Sequence, residues 1–411
     1  GYAGTDSATR SDRVGPYPFR LQSDAIVFGT RASWIGDLTS YARLHAGVAV
    51  DATFSDLDRQ GSLTRPPREG DPYAFGQAPA GDLAADQWKV AQVSIAPYLE
   101  LPLSLLNKKL DVTPGVYGAS LLNNVNQAIP PIGDTPTHGG ARVLSYLEPR
   151  LMVNGRVTDK LSLKIGGGLY HNAPNPADLS SAFGTPMLKS PRSVQGIVGG
   201  SYELPWNLTV EMVAFARRIS NYVSRNIDPS APPAELLTQE GSARAYGGQF
   251  SLRRRFANGF TGWLSYTVTR SEVRFHKDSD WVRSDFEQPH LFTGVASYDI
   301  GAGFSLGVRL RVISGLPRTP VTGRVFDTVN GDYQPLFGAY NSIRLPTIYA
   351  LDARIDKTFN VGRGKIIVFL DALNVLNRPP AEEILYDSTY SQHDYLKGLP
   401  VVADIGVRGE L

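Results

Sequence analysis

From Phe304 to Val312 the chain places Phe304, Leu306, Val308, Leu310 and Val312 on one parity, and Ser305, Gly307, Arg309 and Arg311 on the other. Only an extended strand separates such sets cleanly, because its side chains change sides at every residue. Ala350 to Phe359 repeats the division, with Leu351, Ala353, Ile355 and Phe359 against Asp352, Arg354, Asp356 and Thr358. Lys357 interrupts the apolar set near its end and is expected to snorkel toward a headgroup layer. The same split opposes Val93, Ile95, Pro97, Leu99 and Leu101 to Gln92, Ser94, Tyr98 and Glu100. It also opposes Leu161, Leu163, Ile165 and Leu169 to Ser162, Lys164, Gly166 and Gly168, and Leu208, Val210, Met212 and Ala214 to Thr209 and Glu211. A soluble sandwich alternates too, but its strands are usually about 5–6 residues long. Runs of about ten residues fit the 9–11 or so that a tilted membrane strand requires.

The connections point the same way. Short links with turn chemistry fall at Ile35-Gly-Asp37, Asn107-Lys108, Thr158-Asp159, Pro205-Trp206, Ala257-Asn-Gly259, Gly301-Ala-Gly303 and Gly362-Arg-Gly364. Between them lie long polar stretches at 55–86, 123–143, 172–190, 224–241, 274–285, 315–345 and 378–400. Tight turns at one end and long loops at the other are the asymmetry of an outer-membrane barrel. The predicted fold is therefore an all-β transmembrane antiparallel barrel over residues 24–411, preceded by a polar segment, 1–23, expected to belong to an extracellular loop. The scheme yields about fifteen strands, the first near Asp24–Trp34. Bacterial barrels have even numbers, so further strands are expected before it.

Composition fits. No apolar run is long enough for a spanning helix, and a barrel needs none, so a mean hydropathy of -0.18 is compatible with membrane residence. Glycine (41), tyrosine (19) and phenylalanine (17) suit strands with aromatic girdles. With 41 basic against 39 acidic residues and no basic block, nucleic acid is not an expected partner. Absence of cysteine removes zinc fingers, disulfide scaffolds and thiol catalysis. A secretory signal is expected ahead of Gly1, since the first residues are polar and have no apolar core.

Several segments carry a family resemblance. Leu351-Asp-Ala-Arg-Ile-Asp-Lys-Thr-Phe359, a Gly-rich turn, and Phe369-Leu-Asp-Ala-Leu-Asn-Val-Leu-Asn377 resemble the late strand pair of TonB-dependent outer-membrane transporters. Asp285-Phe-Glu-Gln-Pro-His290 is similar to the D-x-x-x-H start of one of their late strands, and Ser314-Gly-Leu-Pro-Arg-Thr-Pro320 to their G-x-P-x-T-P loop. Pro191-Arg-Ser193, Leu204-Pro-Trp-Asn207, Ala214-Phe215 and Ile219-Ser-Asn-Tyr222 resemble a mid-barrel hairpin. The likeness runs through residues 40–411. The final strand ends in Leu411 rather than an aromatic, with Gly409 where an aromatic is usual.

What the resemblance implies is energised import of a scarce ligand through a plugged lumen of about 22 strands. The partners implied are outer-membrane lipid, an amino-terminal plug and first strands on this or another polypeptide, and a TonB-type energising protein acting through that part. The ligand is left open.

Candidate inner-face residues, for plug or solute contact, are Glu100, Lys164, Glu211, Arg309, Arg311, Asp352, Arg354 and Asp356. Singly each has an ordinary role as an ion pair or water contact; only their collective placement is functional. No catalytic set, cofactor motif or metal site is expected, and the chain is read as a non-enzyme. Gly362-Arg-Gly-Lys365 lacks P-loop spacing and is followed by Ile366. The six histidines are scattered. Asp278, Asp280, Asp285 and Glu287 gather oxygens of the kind Ca²⁺ takes, at a spacing that matches no calcium loop. Two other readings stay open: a passive porin of about sixteen strands, with Arg309 and Arg311 at a constriction, and a conduit for secretion or adhesion with long loops such as 61–85 and 317–341.

Overall fold

The computed structural model describes residues 1–12, 19–61, 85–127, 139–181, 184–226, 235–328 and 331–410. The interiors of three expected loops, 62–84, 128–138 and 227–234, lie outside the described residues, as do Leu411 and His138.

Period-two segments become strands that each pair with the next in chain order. They are β1 (Tyr2–Asp12), β2 (Phe19–Asp37), β3 (Arg43–Gly61), β4 (Ala85–Glu100), β5 (Leu110–Gln127), β6 (Gly140–Arg156), β7 (Leu161–His171) and β8 (Arg192–Leu204). The series continues with β9 (Leu208–Arg225), β10 (Leu237–Ala257), β11 (Phe260–Arg274), β12 (His290–Gly301), β13 (Phe304–Ile313), β14 (Ile348–Val361), β15 (Gly364–Leu373) and β16 (Val402–Glu410). The sheet has eighteen strands, of which Leu103–Leu105 extends the line of β4 and Val282–Arg283 is a short addition beside β11; the other sixteen form the wall. All neighbours are antiparallel, an up-and-down meander. Wall strands run from 9 residues in β16 to 21 in β10, so several exceed what a bilayer crossing needs.

Register keeps one parity on one face all the way round. Phe54 of β3 pairs with Ile26, and Val50 with Ile95. Val198 pairs with Ile165 on one side and Ala214 on the other; Leu310 pairs with Leu351, and Ile355 with Leu370. Many residues of this outer row are solvent-exposed, among them Val198, Met212, Leu147 and Val407. Apolar side chains exposed in rows over an entire sheet form a surface far larger than a water-soluble monomer carries.

Six of the seven expected short links fall at the reversals between strands; the first, Ile35-Gly-Asp37, does not. Asn258 and Gly259 take φ of 54° and 76°, the left-handed pair of a tight hairpin that Asn-Gly adopts readily. In the first link the strand continues through Ile35-Gly-Asp37, and the turn falls at 38–42, closed by Leu38 N donating to Ala42 O at 2.9 Å.

Two expectations are corrected. Residues 1–23, read as a loop, contain β1, paired with β2 from Tyr2↔Gly29 to Asp12↔Phe19. With it, the wall strands among the described residues number sixteen, close to the fifteen or so expected. Both parities of β1 are small or polar, so it has no apolar row to betray it; pairing comes from its neighbour's backbone. The stretches 315–345 and 378–400, read as irregular loops, build their own hairpins, Val321–Asp327 with Asp332–Phe337 and Ala381–Tyr386 with His393–Lys397. Arg318 binds Glu383 at 2.6 Å and Val321 N donates to Tyr386 Oη at 3.1 Å, joining the two hairpins.

Two predictions follow from the geometry. A Cβ on Gly247 would stand 2.2 Å from Val268 O and 2.9 Å from the Phe215 ring, whereas one on Gly409 meets nothing within 4 Å. Gly247→Val should cost about 1–3 kcal/mol by overpacking and Gly409→Ala close to nothing, read by urea titration of the refolded protein.

The second concerns the turn after Tyr386. The Asp387 carboxylate is held down at about 2 by the Thr389 hydroxyl, then by the Gln392 amide and the amide and hydroxyl of Ser391. A depressed carboxylate contributes stability that is complete above its ordinary value of 3.8 and lost as pH falls through about 2. Amide exchange at 389–392 should stay slow down to about pH 3 and quicken below it; in Asp387→Asn it should be fast across that range.

Candidate functional site

The polar parity of the strands shares the face opposite the exposed apolar rows, the inner face, and the eight candidate charges lie on it. Register brings them together in groups. Arg309 Nε donates to Asp352 Oδ2 at 2.7 Å, with Arg311 Nη2 at 3.6 Å from the same oxygen. Asp352 Oδ1 accepts from the backbone N of Asn374 at 2.9 Å. The L-D-x-R strand and the N-x-x-N strand are thus tied by one buried carboxylate, 8% exposed, where β15 leaves the wall. Stranding such a group by removing its arginines would be far more costly than losing an exposed pair. One turn of the pleat further, Arg354 binds Asp356 at 2.8 Å, lies 3.6 Å from Asp371 and stacks 3.9 Å over Phe369.

Across the wall, Lys164 of β7 is paired with Glu211 of β9. Beside them is a cavity of about 170 Å³ at the short-turn end, lined also by Lys109, Asp111, Asn154 and Ser201. Glu100 accepts from Tyr117 Oη and lies 3.8 Å from His45 Nδ1. Tyr117 stacks on Tyr98 and carries the Arg150 guanidinium 3.7 Å above its ring; Arg150 binds buried Glu148 at 2.8 Å. Arg150, Glu148 and Tyr117 complete this network and were not singled out from sequence. Lys357 reaches the turn carbonyl of Ala302 at 2.6 Å over the Phe304 ring, so its charge is met at the sheet's end.

The molecule's buried apolar cluster lies on the inward face, at the long-loop end. Leu57 of β3, Trp88 and Val90 of β4 and Val125 of β5 are inner-parity residues, and they close around Leu179 and Leu188 from the 172–190 connection. That connection folds back over the polar face of the sheet instead of standing away from it. Asn175 caps a single 3₁₀ turn, Pro176–Leu179, through its side chain. Trp88 Nε1 donates to Pro176 O at 3.0 Å and Gln92 Nε2 to Pro174 O at 2.9 Å. Farther along, Arg142 donates to Met187 O at 2.6 Å, and Gln239 holds both the amide and the carbonyl of Lys189. The segment leaves the wall after β7 yet packs on β3, β4 and β5. Its cue in the sequence is that Trp88 and Val90 break the polar row that resumes at Gln92.

The expected oxygen cluster at 278–287 is divided among other partners. Asp285 accepts from Tyr340 Oη and, at 2.8 Å, from Asn341 Nδ2, while fully buried Glu287 is bound by Arg344. Among the described residues no three potential metal ligands converge. No helix is long and apolar enough to cross a membrane, which says nothing of strands.

No protein-family model matches the sequence, and no curated protein matches it. Solved structures do resemble the fold. The ferric citrate transporter FecA, unliganded, is 16% identical with a TM-score of 0.66, over 100% of this chain and 57% of its own. The copper transporter OprC is 12% identical at 0.67, over 99% of this chain and 61% of its own. The ferric yersiniabactin uptake receptor FyuA from Yersinia pestis is 17% identical at 0.58, over 99% and 56%. The chain thus spans little more than half the length of the solved chains it matches. At these identities the shared property is the fold, the barrel wall that the resemblance to TonB-dependent transporters implied.

Trp88→Ala should open a hole of the kind that costs about 3–5 kcal/mol and remove the bond to Pro176. Hydrogen exchange at 175–181 should then rise toward that of a free loop while β13 and β14 keep their protection.

Proposed function

We propose that this chain is the wall of an energised outer-membrane transporter, with the long-loop end outside the cell and the short turns in the periplasm. The observation that carries the reading is that the whole chain follows the wall of a transporter whose own chain continues beyond it. Its outer parity is apolar enough for acyl chains, and its inner parity supplies a polar surface, the division that membrane barrels require.

The sheet's outermost strands, β1 and β16, are not joined to each other by any ladder among the described residues. Unpaired backbone groups are intolerable in hydrocarbon, so further strands complete the wall, from the rest of one polypeptide or from a second one. A plug within the completed wall would rest on the inner groups around Lys164–Glu211, Glu100, Arg309–Asp352 with Arg311, and Arg354–Asp356. A TonB-type protein would pull on that plug to open a path for solute. The cargo class is a metal ion or its chelate, as named for the solved transporters.

A passive porin is the second reading, favoured by the wall count of sixteen alone, since porins of about 16–18 strands leave an aqueous channel. Uptake of radiolabelled ferric chelate and of copper by cells expressing the full-length protein separates the two. Accumulation above a deletion strain that disappears on adding a protonophore is expected. Protonophore-insensitive uptake that scales with external concentration would replace transport with diffusion.

A further inference from the structure

On the outer face the apolar rows of three neighbouring strands stop at arginine. β9 runs Leu208, Val210, Met212, Ala214, Ala216 and then Arg218; β10 runs Leu252, Phe250, Gly248, Tyr246 and then Arg244; β11 runs Leu264, Tyr266, Val268 and then Arg270 and Glu272. The register aligns these endings, with Arg218 opposite Arg244, Arg244 opposite Glu272, and Tyr246 opposite Arg270. Resting on the outer-membrane reading above, we infer that this patch binds the phosphate of an anionic lipid headgroup in the surrounding outer leaflet.

Directly opposed residues of an antiparallel pair have Cβ atoms about 4.5–5.5 Å apart, and like charges there repel. Arg244 is partly neutralised by Glu272, 2.7 Å away, but shares it with Arg270 at 2.8 Å. Arg218 is exposed and has no acidic, acceptor or ring partner among the described residues. Arg270 also approaches Glu287 at 3.6 Å, and that carboxylate is already bound by Arg344 and approached by Arg283 at 3.9 Å. Four arginines therefore share two carboxylates, and Arg218 stands beside them without one. The carboxylates are buried, 7% and 0% exposed, while Arg244 and Arg270 are 40% and 46% exposed. Positive charge faces outward and its counter-charge is hidden beneath.

The cluster is also held in place. Glu272 and Glu287 fix the guanidinium groups from below, and Arg244 lies 4.2 Å over the Trp281 ring, so little ordering is left for a ligand to impose. Planar guanidinium groups match phosphate oxygens bidentately. Position selects a lipid over a free anion: the arginines stand where the acyl-facing rows end, and Ala214, Ala216 and Gly248 leave shallow relief between Met212 and Tyr246 along which a chain can lie.

The test uses the full-length protein in phosphatidylcholine nanodiscs doped with a diphosphorylated glucosamine lipid or its dephosphorylated form, with retained lipid counted by native mass spectrometry. A preference of about tenfold for the phosphorylated form is expected, as for one strong charge-assisted contact. The Arg218→Gln/Arg244→Gln double variant should lose it, and Arg254→Gln, on the same face at the opposite end, should keep it. Equal retention of both lipids, or a double variant that still discriminates, would overturn the proposal. Full displacement by inorganic phosphate would also overturn it, reassigning the site to a free anion. Failure of the protein to enter nanodiscs at all would instead strike the outer-membrane reading, and heat-modified gel mobility reports that separately.

Discussion

The rest of the structure depends on a continuous antiparallel ladder held in one register. Each strand's backbone is satisfied only by its neighbours, and side chains alternate with period two, so a slip of a single residue would exchange the two faces of a strand. The register from β2 to β15 keeps Phe54, Ile95, Val198, Leu310 and Ile355 on one surface and Arg309, Asp352, Lys164 and Glu211 on the other. Every later property, from the outer apolar belt to the inner ion pairs, is a consequence of that one choice repeated along the chain.

On the inner face, charge is organised rather than scattered. Asp352 collects Arg309, Arg311 and the amide of Asn374, which binds the wall to the start of the loop beyond β15. Arg150 is sandwiched by Tyr117 and Tyr170 and anchored by Glu148. Such networks satisfy polar groups that would otherwise be buried without partners. Two of their buried nitrogens, Arg311 Nε and Arg150 Nε, have no hydrogen-bond partner in the protein.

The two ends of the wall differ for a physical reason. Turns of a few residues can do little but reverse the chain, and they do so with left-handed residues such as Trp206, Asn207 and Asn258. The long connections have enough chain to fold. One folds back over the sheet and buries Leu179 and Leu188 against Leu57 and Trp88; two others make hairpins bound to each other. The long-loop end of the wall is thus shaped by packing between loops distant in sequence.

The sequence by itself determined most of the strands, the alternation of short and long connections, and which charges share the polar face, because each follows from parity within one segment or from local turn chemistry. Lys164 and Glu211 could be assigned to the same face from their own strands; that they pair required the stagger of β7 against β8 and β9. β1 stayed hidden because Tyr2–Asp12 has no apolar row, and strand formation there is supplied by β2. Trp88 and Val90 interrupt the polar row of β4, and the residues that cover them, Leu179 and Leu188, come from another part of the chain. Only the tertiary structure could decide these points, since hydrophobic contact and ion pairing depend on distance in space, and period two carries no information about which distant segment closes the gap.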